Sequence, residues 1–238
     1  MAKPPEDPGS LPARRQSLSD KVYEMLRRDI ICCALEPGSE VTESELTDRY
    51  DVGKAPVRAA LSRLFQEGLV RPLPRRGYVI APLTFKDIQE CMSVRLILEP
   101  ETARLAAQRM SAEAVAQLRK QTALDPKADR TVSFEKNRAF HIGIARAAGN
   151  GRLERMVTEL IDQMERVSRL LMQNREAGAM KWEFVADDAD HGAILDAIER
   201  QDPAAAEQAA RQHLETTQRM IVEALFSSDN VELRLNVG

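Results

Sequence analysis

A chain of 238 residues, 43% hydrophobic and 30% charged, is long enough for two ordinary domains with buried cores and too apolar to be disordered throughout. No apolar run approaches the ~18 residues that cross a bilayer. The opening MAKPPEDPGSLPARRQS lacks the apolar stretch of a secretory signal, so neither a membrane-spanning helix nor export is expected, and a cytoplasmic protein is. The net charge of −3 conceals a gradient: residues 1–82 carry 13 Lys/Arg against 12 Asp/Glu, and residues 83–238 carry 21 against 25.

Residues 1–16 are rich in proline and charge and are expected to be disordered. Residues 17–82 form the first expected module. Ser19 is placed to cap a helix running to about Cys33, with Val22, Leu26 and Ile30 as its apolar stripe. The adjacent Cys32 and Cys33 are read as small apolar helix residues. With Cys91 they make no metal-type spacing, and a reducing compartment is the default. Glu36-Pro37-Gly38 breaks the helix. Thr42 and Glu45 have capping-box spacing and open a short helix with Leu46 and Tyr50 turned inward. Asp51-Val52-Gly53 makes a turn. Pro56 suits the first turn of the next helix, whose buried face is Val57, Ala60, Leu61 and Leu64, and Gly68 stops it.

Lys54 and Arg58 fall at the start of that helix. Leu69-Val70 and Tyr78-Val79-Ile80 read as two short strands, and the link between them, from Arg71 to Gly77, holds Arg75 and Arg76, with Gly77 expected at a hairpin tip. Between Lys54 and Arg76 six basic residues face a single acid, Glu67. Helix, turn, helix with a basic start, then a basic hairpin is the order of a winged helix-turn-helix. There the start of the second helix enters the major groove and the wing lies along the minor groove or its phosphates. The same order also suits a helical hairpin with a solvated basic edge, or a protein-docking module. The agreement of turn, helix start and wing on one positive side favours double-stranded DNA.

Here the residues resemble a known family. T-E-x-x-L, P-V-R-x-A-L-x-R-L, E-G-L-V and R-R-G-Y-V, spread over about residues 17–82, are similar to the DNA-binding domain of GntR-type bacterial transcription regulators. The resemblance implies operator contacts by Lys54 and Arg58 and by the wing residues Arg75, Arg76 and Gly77. Gly53-Lys54-Ala55 stands where the family often has Ser-Arg-Thr, so a point charge replaces a bidentate fork.

The second expected module, residues 83–226, reads as helices throughout. Thr84 caps a long helix to about Met110, and Ser111 caps another to about Leu124. Asp125-Pro126 interrupts. Further helices run from about Val132 to Gly149, from about Leu153 to Arg175 and from about Lys181 to Arg200. Asp202-Pro203 starts the last, to about Phe226. Residues 227–238 are expected to fray. Few aromatics and many Ala, Leu and Met suit a helical bundle, so the fold class is mainly α: a winged helix-turn-helix followed by an all-α bundle.

All three histidines, His141, His191 and His213, lie in this second module, and Asn137 shares a helix face with His141. Imidazoles from separate helices can hold a metal inside a bundle, but spacing alone favours three unrelated side chains. Arg95, flanked by Val94 and Leu96, needs an anion if buried: either Glu99 one turn on, or a ligand carboxylate. The segments VRLILEPETARLAA, NRAFHIGIARAAGN and DHGAILDAIERQDPAAAEQAARQHL resemble the ligand-binding FCD domain of the FadR subgroup of GntR regulators, over about residues 85–225. That resemblance implies a divalent metal held by His141, His191, His213 and the residue four before the first histidine, and imidazole-rich ligands suit zinc or nickel. Here that residue is Asn137, whose amide oxygen brings no charge. It further implies a small carboxylate effector, for which Arg95 is a candidate contact, a homodimer and an inverted-repeat operator, and it makes a repressor the expected sign. A metal enzyme using the three histidines is the alternative, as is an architectural DNA-binding module with a vestigial pocket. No H-E-x-x-H, nucleophile elbow or Gly-rich phosphate loop supports an enzyme.

Overall fold

The computed structural model describes residues 16–123, 130–173 and 188–226. The expected disorder at the N-terminus, except for residue 16, lies outside the described residues. So do the Asp125-Pro126 interruption, the ends of the helices expected to reach Arg175 and to start at Lys181, and the frayed tail. The chain divides into two compact units, one made by residues up to 30 with 35–81, the other by 31–34 with 82 onward.

In the first unit, α1 spans Leu18–Ile31. Its cap is Ser17 and not Ser19. The Ser17 hydroxyl oxygen accepts from the Asp20 N–H at 3.1 Å, and the Asp20 carboxylate accepts from the Ser17 N–H at 3.2 Å. Only Ser17 has an acid three residues on to close this reciprocal pair. Cys32 and Cys33 lie beyond the helix, against expectation, and Cys33 adopts a left-handed φ of 56°. Strand β1, Glu40–Val41, has no strand signal of its own in the sequence. Next come α2, Glu43–Tyr50, and α3, Lys54–Gln66. Thr42 and Glu45 form the expected capping box, and Asp51 ends α2 in the left-handed conformation. Gly68, at φ 72°, lets the N–H of Leu69 reach Leu64 O and its own N–H reach Phe65 O, which closes α3. Val22, Leu26, Ile30, Val57, Ala60, Leu61 and Leu64 are fully buried and make the core expected of them, with Leu46 almost so.

Strands β2, Val70–Leu73, and β3, Gly77–Ile80, form an antiparallel hairpin, and β1 adds to the outer side of β3, giving the order β1-β3-β2. The turn is residues 74–76, so Arg71 sits in a strand and Gly77 begins one instead of marking the tip. Gly77 has φ 106°, and a Cβ there would run into the carbonyl oxygen of Val41 on β1. The close approach that glycine permits is therefore to the neighbouring strand. Gly77→Ala is expected to cost at least about 2 kcal/mol, from strained φ and collision together. Urea unfolding of the whole protein checks this, and an unchanged midpoint would mean that β1 does not pair here.

The second unit is helical. Among the described residues it contains α4 (Phe85–Ala107), α5 (Ala112–Thr122), α6 (Arg130–Ala147), α7 (Gly151–Gln173), α8 (Asp188–Glu199) and α9 (Pro203–Phe226). Thr84 caps α4 in a box with Asp87, Ser111 caps α5, Asn150 accepts from the N–H groups of Arg152 and Leu153, and Asp202 accepts from that of Ala205. Helix α4 packs against α6, α7 and α9. It continues through Pro100, which cannot donate to the carbonyl of Leu96. The Arg211 guanidinium of α9 donates to that carbonyl at 3.4 Å. One apolar cluster gathers Ala103, Phe140, Ile144, Ile194, Ile198 and Ala210; another gathers Ile88, Met92, Met164, Val167, Leu171 and Ile221. The first of them supports the site described next.

Candidate metal centre and nucleic-acid interface

In the helical unit, α6 brings His141, α8 brings His191 and α9 brings His213 to one place. All three are buried, and their ligand-type nitrogens lie within 4.8 Å of one another. The Nδ1 of His141 is 2.7 Å from Glu99 Oε2, and the Nδ1 of His213 is 3.7 Å from Asp190 Oδ2. At 2.7 Å the Glu99 carboxylate fixes the tautomer of His141 and leaves its Nε2 as the lone-pair donor, whereas the 3.7 Å from His213 to Asp190 is too long for a hydrogen bond. The ring of His191 stacks on Phe140, with centroids 3.7 Å apart and planes 13° from parallel. Its Nε2 is buried with no hydrogen-bond partner. Leaving such an atom unsatisfied costs free energy unless something meets it. A divalent cation with an affinity for imidazole fits this donor set.

Glu99 belongs to the site although its spacing offers it only as a possible partner of Arg95; the structure joins it to both Arg95 and His141. Nothing in the spacing connects residue 99 with residue 141; only the packing of α4 on α6 does. Burial alone would push the Glu99 carboxyl up, but Arg95 and His141 together hold it well below the usual carboxylate range. Arg95 is therefore buried with Glu99 as its anion, not exposed to solvent as a surface pair. Asn137 lies half-buried one turn before His141 and is not among the residues lining the cavity there. That cavity, about 10 Å³, has room for one water or one bare ion. Glu99, His141 and His213 line it together with Phe140, Ile194 and Leu214, and His191 does not line it.

Burial, with help from the His141 and His213 rings, pushes His191 far below the usual imidazole range. Burial first, then His141 and Arg95, pushes His213 down to about 3. An unfolded histidine titrates near 6.5. The unfolded chain therefore takes up these protons first. The stability they confer is complete above pH 6.5 and is lost as pH falls from there toward 3. The slope is up to about 1.4 kcal/mol per pH unit for each histidine. Urea unfolding of chelator-treated protein at pH 7.5, 6 and 5 is expected to show this fall, and His213→Asn should make it shallower. A flat profile would mean that the rings are hydrated and not buried.

In the first unit, Lys54 opens α3 and Arg58 lies one turn on, both exposed, as are Arg71, Arg75 and Arg76 of the hairpin. The sixth basic residue, Arg63, does not join them. It pairs with Asp20 at 2.9 Å and lies 3.5 Å over the ring of Tyr23, on the side of α3 that faces α1. The helical period explains this, because Arg63 is five residues from Arg58 and so points away from it. Arg58 donates through Nε to Glu43, and Arg76 pairs with Glu40 at 2.8 Å. Lys54, Arg71 and Arg75 make no ion pair among the described residues. None of the described helices is long and apolar enough to cross a membrane.

Residues 90–216 match the FCD domain, and residues 18–80 match the bacterial regulatory proteins of the gntR family. Over 216 residues the chain is 29% identical to the uncharacterized HTH-type transcriptional regulator BphR of Paraburkholderia xenovorans (strain LB400), covering 86% of this chain and 85% of that protein. It is 28% identical over 212 residues to the HTH-type transcriptional repressor GlaR of Escherichia coli (strain K12), covering 85% and 95%. Among solved structures, E. coli McbR/YncC superposes with a TM-score of 0.75 at 19% identity, covering 87% of this chain and 98% of that one. That likeness speaks to the fold.

Proposed function

The chain belongs to the gntR family of bacterial regulatory proteins and carries an FCD domain, and from that premise we propose that it is a repressor whose hold on an operator is set by a small organic acid bound in the helical unit beside a divalent metal. That it is a DNA-binding transcription regulator with an effector-binding domain, and not an enzyme, follows from the family itself. The finer reading rests on one observation above the rest: three imidazoles from three helices converge, and the buried Nε2 of His191 has nothing to bond.

His141, His191 and His213 would hold the metal, zinc or nickel by the preference of imidazole, with Asn137 as the remaining candidate ligand. When bound, the metal would supply the positive charge that an effector carboxylate meets. Arg95, committed to Glu99, balances that carboxylate and is the weaker contact for an effector. A cavity of about 10 Å³ does not take an organic acid as it stands. Effector binding therefore favours a widened arrangement of the helices, and this difference in affinity is what shifts a population. In a homodimer reading an inverted repeat, a shift in the spacing of the two heads costs operator affinity. Lys54, Arg58, Arg75 and Arg76 are the proposed DNA contacts, and Gly77 serves them by seating the wing. The repressor sign is supported by the likeness to GlaR, which is named a repressor, and the cell compartment is the cytoplasm.

Metal content of the purified dimer tests this reading, before and after chelation and after return of zinc or nickel. About one metal per chain, lost and regained, is expected. Protein that neither retains nor rebinds metal overturns the metal part.

A further inference from the structure

Arg58 sits at the start of α3 with its side chain 64% exposed, yet one part of it is already held. Both carboxylate oxygens of Glu43 accept from its Nε, at 3.0 and 2.8 Å. Glu43 is the first residue of α2 and follows the Thr42 cap directly. The capping box between Thr42 and Glu45 fixes the backbone on which Glu43 stands, and the Glu43 side chain is only 26% exposed. The acid is thus the anchored partner and the arginine the projecting one. Because the contact runs through Nε, the two terminal nitrogens of Arg58 make no ion pair among the described residues. Those two nitrogens form the edge that can donate in parallel to O6 and N7 of a guanine. Arg76 differs: its contact with Glu40 runs through a terminal nitrogen, so it must release that acid to present the same edge.

We propose that Glu43 is a specificity-determining residue of the DNA-reading surface: it grips Arg58 through Nε and aims the terminal edge of the guanidinium at one base pair. This rests on the reading of Arg58 as a DNA contact. An acid beside a phosphate-facing surface repels every duplex alike, so it lowers non-specific affinity. Aiming the arginine raises discrimination at one position. The two effects together give specificity by both attraction and repulsion. An exposed pair of this kind contributes little to folding, so a variant folds and its effect is read in DNA binding.

The test starts from a duplex that the wild-type dimer selects from a random pool. Binding of wild type, Glu43→Gln, Arg58→Ala and the double variant is then measured on that duplex, on each single-base-pair change and on a scrambled duplex. Arg58→Ala is expected to flatten the preference at one base pair. Glu43→Gln is expected to reduce preference at that same pair by at least about fivefold, while binding the scrambled duplex as tightly as wild type or more so. The double variant should be no flatter there than Arg58→Ala. If Glu43→Gln keeps the preference that Arg58→Ala loses, or flattens it further when Arg58 is already absent, the proposal is overturned. If Arg58→Ala itself leaves every preference intact, the reading of Arg58 as a DNA contact falls first, and the role of Glu43 with it.

Discussion

Replacing Arg58 with alanine is expected to weaken operator binding by about 1–3 kcal/mol and to relax specificity at one position, while Lys54→Ala weakens all duplexes alike. The two differ because a guanidinium reads a base with two parallel donors, whereas an ammonium acts as a point charge on phosphate. Lys54 makes no ion pair among the described residues. Removing it should therefore lower the dependence of log affinity on log salt by about one unit. Neither change should disturb folding, since both side chains are exposed at the start of α3. Titrations of operator and scrambled duplex at several salt concentrations separate the two outcomes. If both variants bind as wild type does, α3 does not enter the groove.

His191→Ala is expected to lower metal affinity by more than about 100-fold, since loss of an orienting partner behind a ligand already costs 10–100-fold. The effector response should fall with it, while effector-free operator binding stays near wild type. His191 is the informative position because its Nε2 is buried without a partner. Alanine removes the unmet polar atom but also the ring stacked on Phe140, so urea unfolding of the metal-free variant separates lost packing from lost metal. Asn137→Asp runs the other way: it adds a negative charge one turn before His141 and should tighten the metal. Metal affinity of the three proteins after chelation, with operator binding measured alongside, is decisive. A wild type that rebinds no metal, together with a His191→Ala protein that answers the effector normally, would make the histidines structural.

Much of the first unit was legible because its signals are local. Thr42 and Glu45 declare a capping box by spacing, Gly68 declares a stop, and Val57, Ala60, Leu61 and Leu64 recur at the helical period. Where two local signals compete, spacing alone does not decide between them. Ser17 and Ser19 are both good caps, and only the reach of Asp20 back to Ser17 decides between them. Gly77 looked like a hairpin tip because the strand β1 that it must clear is two residues long and carries no alternation to read.

For the site, the sequence by itself determined the residue types: three histidines on three helices, an arginine and an acid one turn apart on a fourth, and a basic helix start. Helical periodicity and capping suffice for that, since they depend on neighbours within a few positions. Tertiary structure alone decided which of these meet. It placed Glu99 behind His141, buried Arg95 against Glu99 and stacked His191 on Phe140. It also set Glu43 against Arg58. Each of these depends on how helices far apart in the chain pack, and that is set by the summed burial of many apolar side chains. No single spacing encodes that sum.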